Sequence, residues 1–252
     1  MVSIGLLGCG NIGRVIAGSD AGIDIRALFD RIPEKAHELS RQSGAPAFAE
    51  FSSFIREDYN LVVEAASVEA VQEYAEEVLR CGKDLVVLSA GALADPDFRR
   101  QLIETARAQK RRIYVPSGAI AGLDSLKVGQ IVGMDTLILR TTKNPASLNL
   151  KIKERKLIFQ GKAHDCIREF PRNINVAVAL SLAAGRDADV EIWVDPATDR
   201  NIHEVYARGR FGEITIKVSN VPSPDNPATS YLAALSILAL LKNMESPLVI
   251  GT

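Results

Sequence analysis

The sequence predicts an α/β protein: a doubly wound parallel sheet in the first half, then a second, α+β domain of mostly antiparallel sheet. Three observations predict it. Apolar, strand-like runs alternate with helical stretches up to residue 118. A cluster of glycines follows the first of those runs directly. After "GLDSLKVGQIVG" the rhythm changes to strands separated by turns. The expected division is a dinucleotide-binding domain over 1–120 and an α+β domain over 121–228, with the closing segment 229–252 a helix that packs back on the first domain.

The first run, "SIGLLGCGNIG", is a strand that breaks into Gly8-Cys9-Gly10-Asn11-Ile12-Gly13 and opens a helix, "NIGRVIAGS". A G-x-G-x-x-G is weak by itself. Here it closes one strand and is followed by a second, "IDIRALFD", ending in Asp30, at about the separation of a ribose-binding carboxylate. That context makes the domain Rossmann-type and its ligand a dinucleotide. Gly8 permits the tight turn, Gly10 lets backbone approach a pyrophosphate, and Gly13 lets helix and strand pack closely. The helix start at Asn11 and Ile12 then offers free N–H groups and a favourable dipole to the phosphates. Asp30 favours NAD through both ribose hydroxyls, while Arg31 suits a 2′-phosphate, so NAD is preferred and NADP plausible.

"NLVVEAAS" is a buried strand before the helix "VEAVQEYAEEVLRCG". "KDLVVLSAG" is another, before "DPDFRRQLIETARAQ", where Asp95 caps and Pro96 suits the first turn. "RRIYVPSG" is the next strand. The carboxyl edges of these strands read "EAAS", "LSAGA" and "PSGAIAG", small and polar, and place Ala66, Ser67 and Ser89 along a cofactor groove. Beyond them, "DTLILRTTKNP", "KLIFQGKAHD", "ADVEIWVDP", "NIHEVYARG" and "GEITIKVSN" are strands, "NINVAVALSLAAG" is a helix, and "TSYLAALSILALLKN" closes the chain as a second. In "NIHEVY" the period of two puts His203, Val205 and Ala207 on one face and Ile202, Glu204 and Tyr206 on the other. His203 therefore points where apolar neighbours point, into a core or the floor of a cleft.

Composition narrows the function. The chain has 252 residues, a net charge of -1 and a hydrophobic fraction of 47%, so a basic nucleic-acid binder is excluded and a soluble globular protein is indicated. Cys9, Cys81 and Cys166 are odd in number and scattered, which suits neither disulfides nor a zinc site and fits a reducing, cytoplasmic compartment. No metal site is expected. "MVSIGLLGCGNIG" lacks the basic start of a signal peptide, and "YLAALSILALL" is too short to span a bilayer, so no membrane partner is expected.

Along nearly its whole length the chain resembles the L-aspartate dehydrogenases. The ordered motifs are "GLLGCGNIG", "VVEAAS", "VLSAGALAD", "PSGAIAGLDSL", "TTKNP", "FPRNINVAVALSLAAG", "NIHEVYARGRFGEITIKVSN" and "SPDNPATSYLAALS". The resemblance implies oxidation of L-aspartate to iminoaspartate with NAD or NADP. The imine then hydrolyses to oxaloacetate and ammonia, or supplies pyridine-nucleotide biosynthesis. It implies that His203, in "NIHEV", is catalytic, and that Ala119 in "SGAIAG" and Asn175 in "NINV" contact the nicotinamide side. A homodimer is expected by the same analogy, formed on an exposed sheet face. One motif departs: where the family often has threonine-arginine-lysine, this chain has Thr141-Thr142-Lys143. Ser117, Lys143, Arg172 and Asn173 are the candidates to hold the substrate carboxylates.

The chemistry agrees with this assignment. Hydride leaves Cα only as the nitrogen lone pair pushes in, so the ammonium must first lose a proton, and a base with a pKa near neutrality suits that step. His37, in the helical "PEKAHELS", and His164, in a turn-like "GKAHD", carry no such context. Two competing functions are a related reductase of the homoserine or dihydrodipicolinate type and a non-catalytic NAD-sensing protein. A sensor needs no base at position 203, and substrate titration separates the two reductases.

Overall fold

The computed structural model describes residues 2–169, 175–223 and 226–251. The chain forms two compact units: Met1–Pro116 with Ala234–Ile250, and Ser117–Ala233.

The first unit is built on six strands: β1 (Ser3–Leu7), β2 (Asp24–Phe29), β3 (Ala47–Phe48), β4 (Leu61–Glu64), β5 (Asp84–Val87) and β6 (Ile113–Tyr114). Their order is β3-β2-β1-β4-β5-β6 and every pairing is parallel. This is the doubly wound arrangement, with its switch point between β1 and β4. Helices α1 (Asn11–Ala17), α2 (Pro33–Ser43), α3 (Phe51–Phe54), α4 (Val68–Arg80) and α5 (Pro96–Ala108) connect the strands. β4 is buried at every position because helices cover both faces of such a sheet. Asp95 caps α5 as its sequence predicts, its Oδ1 accepting from the N–H groups of Asp97 and Phe98 at 2.8 and 3.1 Å. The two-residue β3 was not foreseen.

In the second unit, the one-turn helices α6 (Leu123–Leu126) and α7 (Gly129–Val132) lead into a sheet of β7 (Thr136–Lys143), β8 (Lys156–Lys162), β9 (Asp189–Val194), β10 (Asn201–Gly209) and β11 (Gly212–Asn220). The order is β11-β10-β7-β9-β8, antiparallel except for the β7–β9 pair. α8 (Ala163–Glu169) and α9 (Asn175–Ala184) lie between β8 and β9 in the chain. His164 therefore belongs to a helix and not to a turn: its ring bonds Asp187 at 2.5 Å, one residue before the alanine whose carbonyl receives the Ala163 N–H. Leu137, Leu139, Val190, Ile192, Val205 and Ala207 turn inward and pack with Leu180 of α9. Each of the leucine, valine and isoleucine side chains among them, fully buried, is worth about 1.5–3 kcal/mol.

A short ribbon of β12 (Pro222–Ser223) and β13 (Asn226–Ser230) precedes α10 (Tyr231–Glu245). Ile237 and Leu241 of α10 are buried among Ile4, Leu6, Leu28 and Val63 of the first unit's core. Among the described residues no helix is long and apolar enough to cross a membrane.

Candidate active site

In the first unit the glycines of the β1–α1 turn divide the work by space. A Cβ on Gly8, whose φ is +105°, would lie 2.7 Å from the carbonyl of Ala65. One on Gly13 would lie 2.3 Å from the carbonyl oxygen of Gly8. Both positions are closed to a side chain. A Cβ on Gly10 would meet nothing within 4 Å, so the backbone there borders open space. That is the cradle a pyrophosphate needs, and a larger residue would fill it.

Asp30, just past β2, reaches back to this turn. Its Oδ2 accepts from the N–H of Cys9 at 2.8 Å, and its Oδ1 from the N–H of Ile32 at 2.9 Å. The carboxylate is thus fixed in orientation, with lone pairs left for ribose hydroxyls. Gly8, Gly10, Asp30, Arg31, Ala66 and Ser67 all line one cavity of about 180 Å³, beside Lys35 and Tyr74. Ser67 also caps α4, accepting from the N–H of Ala70 at 3.2 Å. Asn11, Ile12 and Gly13 sit at the start of α1. Ser89 stands one step back from the cavity: its hydroxyl donates to Glu64 at 2.7 Å. These residues fit a dinucleotide.

In the second unit polar residues gather at one end of the sheet's inner face. His203 pairs with Thr141 across the β10–β7 ladder and with Val218 across β10–β11. As the period of two predicts, it faces inward with Val205 and Ala207, and it is 5% exposed. Its Nδ1 lies 3.0 Å from Thr141 Oγ1. Two residues along β7, on the same face, is buried Lys143. Asn201 and Asn220 form the next cross-strand pair, and both are buried. Asn220 Nδ2 donates to the carbonyl of Ala119 at 2.9 Å, tying the 117–122 loop to this end of the sheet. Its Oδ1 has no partner among the described residues.

The electrostatics correct one expectation. Burial, and then the positive charge of Lys143, push the His203 pKa down to about 3, so the ring is a neutral imidazole and not a group poised near neutrality. Burial pushes Lys143 down to about 8. The inward face that hides His203 from water supplies the shift, and the period of two alone does not reveal its size. A dicarboxylate entering here would reverse it, since negative charge favours both cations.

Ser117 and Ala119 are half-buried in their loop, and Asn175 begins α9. Arg172 and Asn173 lie outside the described residues. Sequence reasoning missed Asn201 and Asn220, although their place on the inner face follows from the same alternation. It also missed Glu64, a charge ending the apolar run "LVVE".

Residues 124–244 match the family model described as aspartate dehydrogenase, C-terminal, and residues 5–116 match that of the homoserine dehydrogenase NAD binding domain. An L-aspartate dehydrogenase of Methanospirillum hungatei JF-1 is 59% identical over the full length of both chains. The chain belongs to the L-aspartate dehydrogenase family. Another member, from Methanothermobacter thermautotrophicus, is 43% identical over 100% of this chain and 99% of its own. The crystal structure of aspartate dehydrogenase from Thermotoga maritima superposes with a TM-score of 0.83 at 33% identity, covering 100% of this chain and 99% of that one. The first unit is thus the NAD-binding part, and NAD is the cofactor the family assignment supports.

Proposed function

We propose that this chain oxidises L-aspartate to iminoaspartate, with His203 as the base and Lys143 as a cation for a substrate carboxylate. The observation that carries the reading is the inner-face cluster itself: an imidazole held by Thr141, with an ammonium two residues along the same strand. The full-length likeness to L-aspartate dehydrogenases supports the substrate.

Held by Gly8, Gly10, Gly13 and Asp30, NAD would supply the acceptor for the hydride that leaves the substrate Cα. Thr141 holds His203 by Nδ1; with that nitrogen donating to Oγ1, the Nε2 lone pair is open to accept a proton from the substrate ammonium. Lys143 is well suited to a carboxylate, because an anion offsets the cost of its burial. Ser117 is a further candidate for the substrate, and Ala119 and Asn175 are candidates for the nicotinamide side; Asn173 lies outside the described residues. On the cofactor side, Gly10 admits the pyrophosphate and Asp30 binds the ribose. Arg31 and Lys35 beside the same cavity support acceptance of NADP as well.

Iminoaspartate either hydrolyses to oxaloacetate and ammonia or serves pyridine-nucleotide biosynthesis. The free cysteines Cys9, Cys81 and Cys166 support a cytoplasmic setting. The outer face of the five-stranded sheet, with half-buried Ile138, Trp193, Ile202 and Tyr206, supports a homodimer. The test is an assay of NADH loss with oxaloacetate plus ammonia, against a panel of other oxo acids. Equal rates across the panel overturn the substrate assignment.

A further inference from the structure

Glu64 is a carboxylate with no exposure at all, at the carboxyl end of β4. Four groups donate to it. Oε1 accepts from the N–H of Ala66 at 2.8 Å and the hydroxyl of Ser89 at 2.7 Å. Oε2 accepts from the N–H groups of Leu88 and Ser89 at 3.0 and 2.9 Å. Three of the four are backbone N–H groups, which cannot turn round to accept. The arrangement is therefore complementary to an anion. A neutral amide in its place would set its NH2 against at least one N–H donor, whichever way it turned. Burial pushes the carboxyl pKa up, and these donors oppose that shift.

The four bonds join the loop after β4, which carries Ala66 and Ser67, to the loop after β5, which carries Ser89. The position in the sheet says more. Asp30, the ribose group, follows β2 on one side of β1, and Glu64 ends β4 on the other side. In a doubly wound sheet the two halves of a dinucleotide lie on opposite sides of this switch point. Glu64 therefore stands at the switch point: Ala66 and Ser67 after it border the Asp30 cavity, while its bonds to Leu88 and Ser89 reach the β5 side, the half of the sheet away from Asp30.

We propose that Glu64 is a charged positioning residue of the cofactor site, fixing the β4 and β5 loops and setting a buried negative charge on the nicotinamide side that favours the oxidised, cationic ring over the reduced, neutral one. The proposal rests on the cofactor placement above. Gly10→Val tests that placement separately, since unchanged NAD affinity there would refute it whatever Glu64 does.

The experiment titrates NAD and NADH binding to the wild type, Glu64→Gln and Glu64→Asp, with thermal melting to check the fold. Misplaced loops alone would weaken both forms by a common factor. A lost charge would weaken NAD more, by about tenfold relative to NADH, the order of a charge–charge interaction at an effective dielectric constant near 20. Glu64→Gln is expected to show that change of ratio, and Glu64→Asp, which keeps the charge, to weaken both forms alike. Equal losses in Glu64→Gln, or wild-type affinities for both forms, overturn the proposal. If Glu64→Gln does not fold, Glu64→Ala, which removes the charge and leaves water room to reach the four donors, takes its place: a changed ratio supports the charge, and a common factor overturns it.

Discussion

Thr141 and His203 stand opposite each other on β7 and β10, and Thr141 Oγ1 lies 3.0 Å from His203 Nδ1. The bond fixes the ring's rotation and selects which nitrogen faces away. Thr141→Val keeps the shape and removes the hydroxyl, so the base-competent tautomer loses its partner. The expected result is a fall in kcat of about tenfold with unchanged NAD affinity, and Thr141→Ser should restore most of it. Steady-state kinetics with cofactor titration check this; wild-type kcat in the valine variant would refute the orienting role.

His203→Ala should lower kcat by about two orders of magnitude or more, and His203→Asn should fail similarly, since an amide does not take up and return a proton near neutral pH. The glycine turn and Asp30 lie in the other unit, so cofactor affinity should stay near wild type. A stability effect accompanies this. The folded pKa of about 3 lies below the ordinary histidine value, so the unfolded chain binds the proton first as pH falls. Stability from this residue is therefore present above about pH 6.5 and lost between there and pH 3. Urea unfolding across that window should show a shallower loss in His203→Asn than in wild type. Retained turnover in both variants would make His203 structural.

How much of this was legible in the sequence depends on which physics each feature uses. The parallel sheet follows from apolar runs alternating with helices, and the inward turn of His203 from a period of two. The short elements β3, α6 and α7 were missed: the four residues of α6 or α7 are a single turn and show no helical period, and the two of β3 form no alternating run, whereas β4, β5 and β6 lie within longer strand-like stretches. His164 read as part of a turn, whereas tertiary contacts with Asp187 and Ala188 hold its segment as a helix. The roles of Thr141 and Glu64 depend on partners 62 and 25 residues away, which no local pattern encodes. The depressed pKa of His203 is of the same kind, arising from burial and from Lys143.

Asp30 holds the glycine turn and, in the proposed cofactor placement, would also read the ribose. Asp30→Ala should weaken NAD more than NADP, since a 2′-phosphate would still have Arg31 and Lys35 beside the same cavity. Both should nonetheless suffer, because the N–H groups of Cys9 and Ile32 lose their acceptor. A loss for NAD about tenfold beyond that for NADP is expected in binding titrations. Equal losses would mean that the carboxylate shapes the turn without reading the ribose.

The buried charge of Lys143 costs stability that a bound anion would offset. Its folded pKa of about 8 lies below the ordinary lysine value near 10.5, so the folded state resists the charge. Below pH 8 the residue is charged in both states and the penalty is in full force. Between about 8 and 10.5 the unfolded chain holds more protons, and stability rises with pH. Lys143→Met keeps the chain length and removes the charge, so it should stabilise the protein at neutral pH by up to about 3 kcal/mol and abolish that alkaline rise. The same variant should raise KM for aspartate about tenfold to a hundredfold, the worth of a hydrogen bond to a charged group, while leaving NAD affinity unchanged. Urea unfolding at pH 7 and pH 10, paired with aspartate kinetics, checks both halves. A stabilised variant with wild-type KM would leave Lys143 a buried cation with no substrate to bind, and the carboxylate would have to be held by the 117–122 loop or α9 instead.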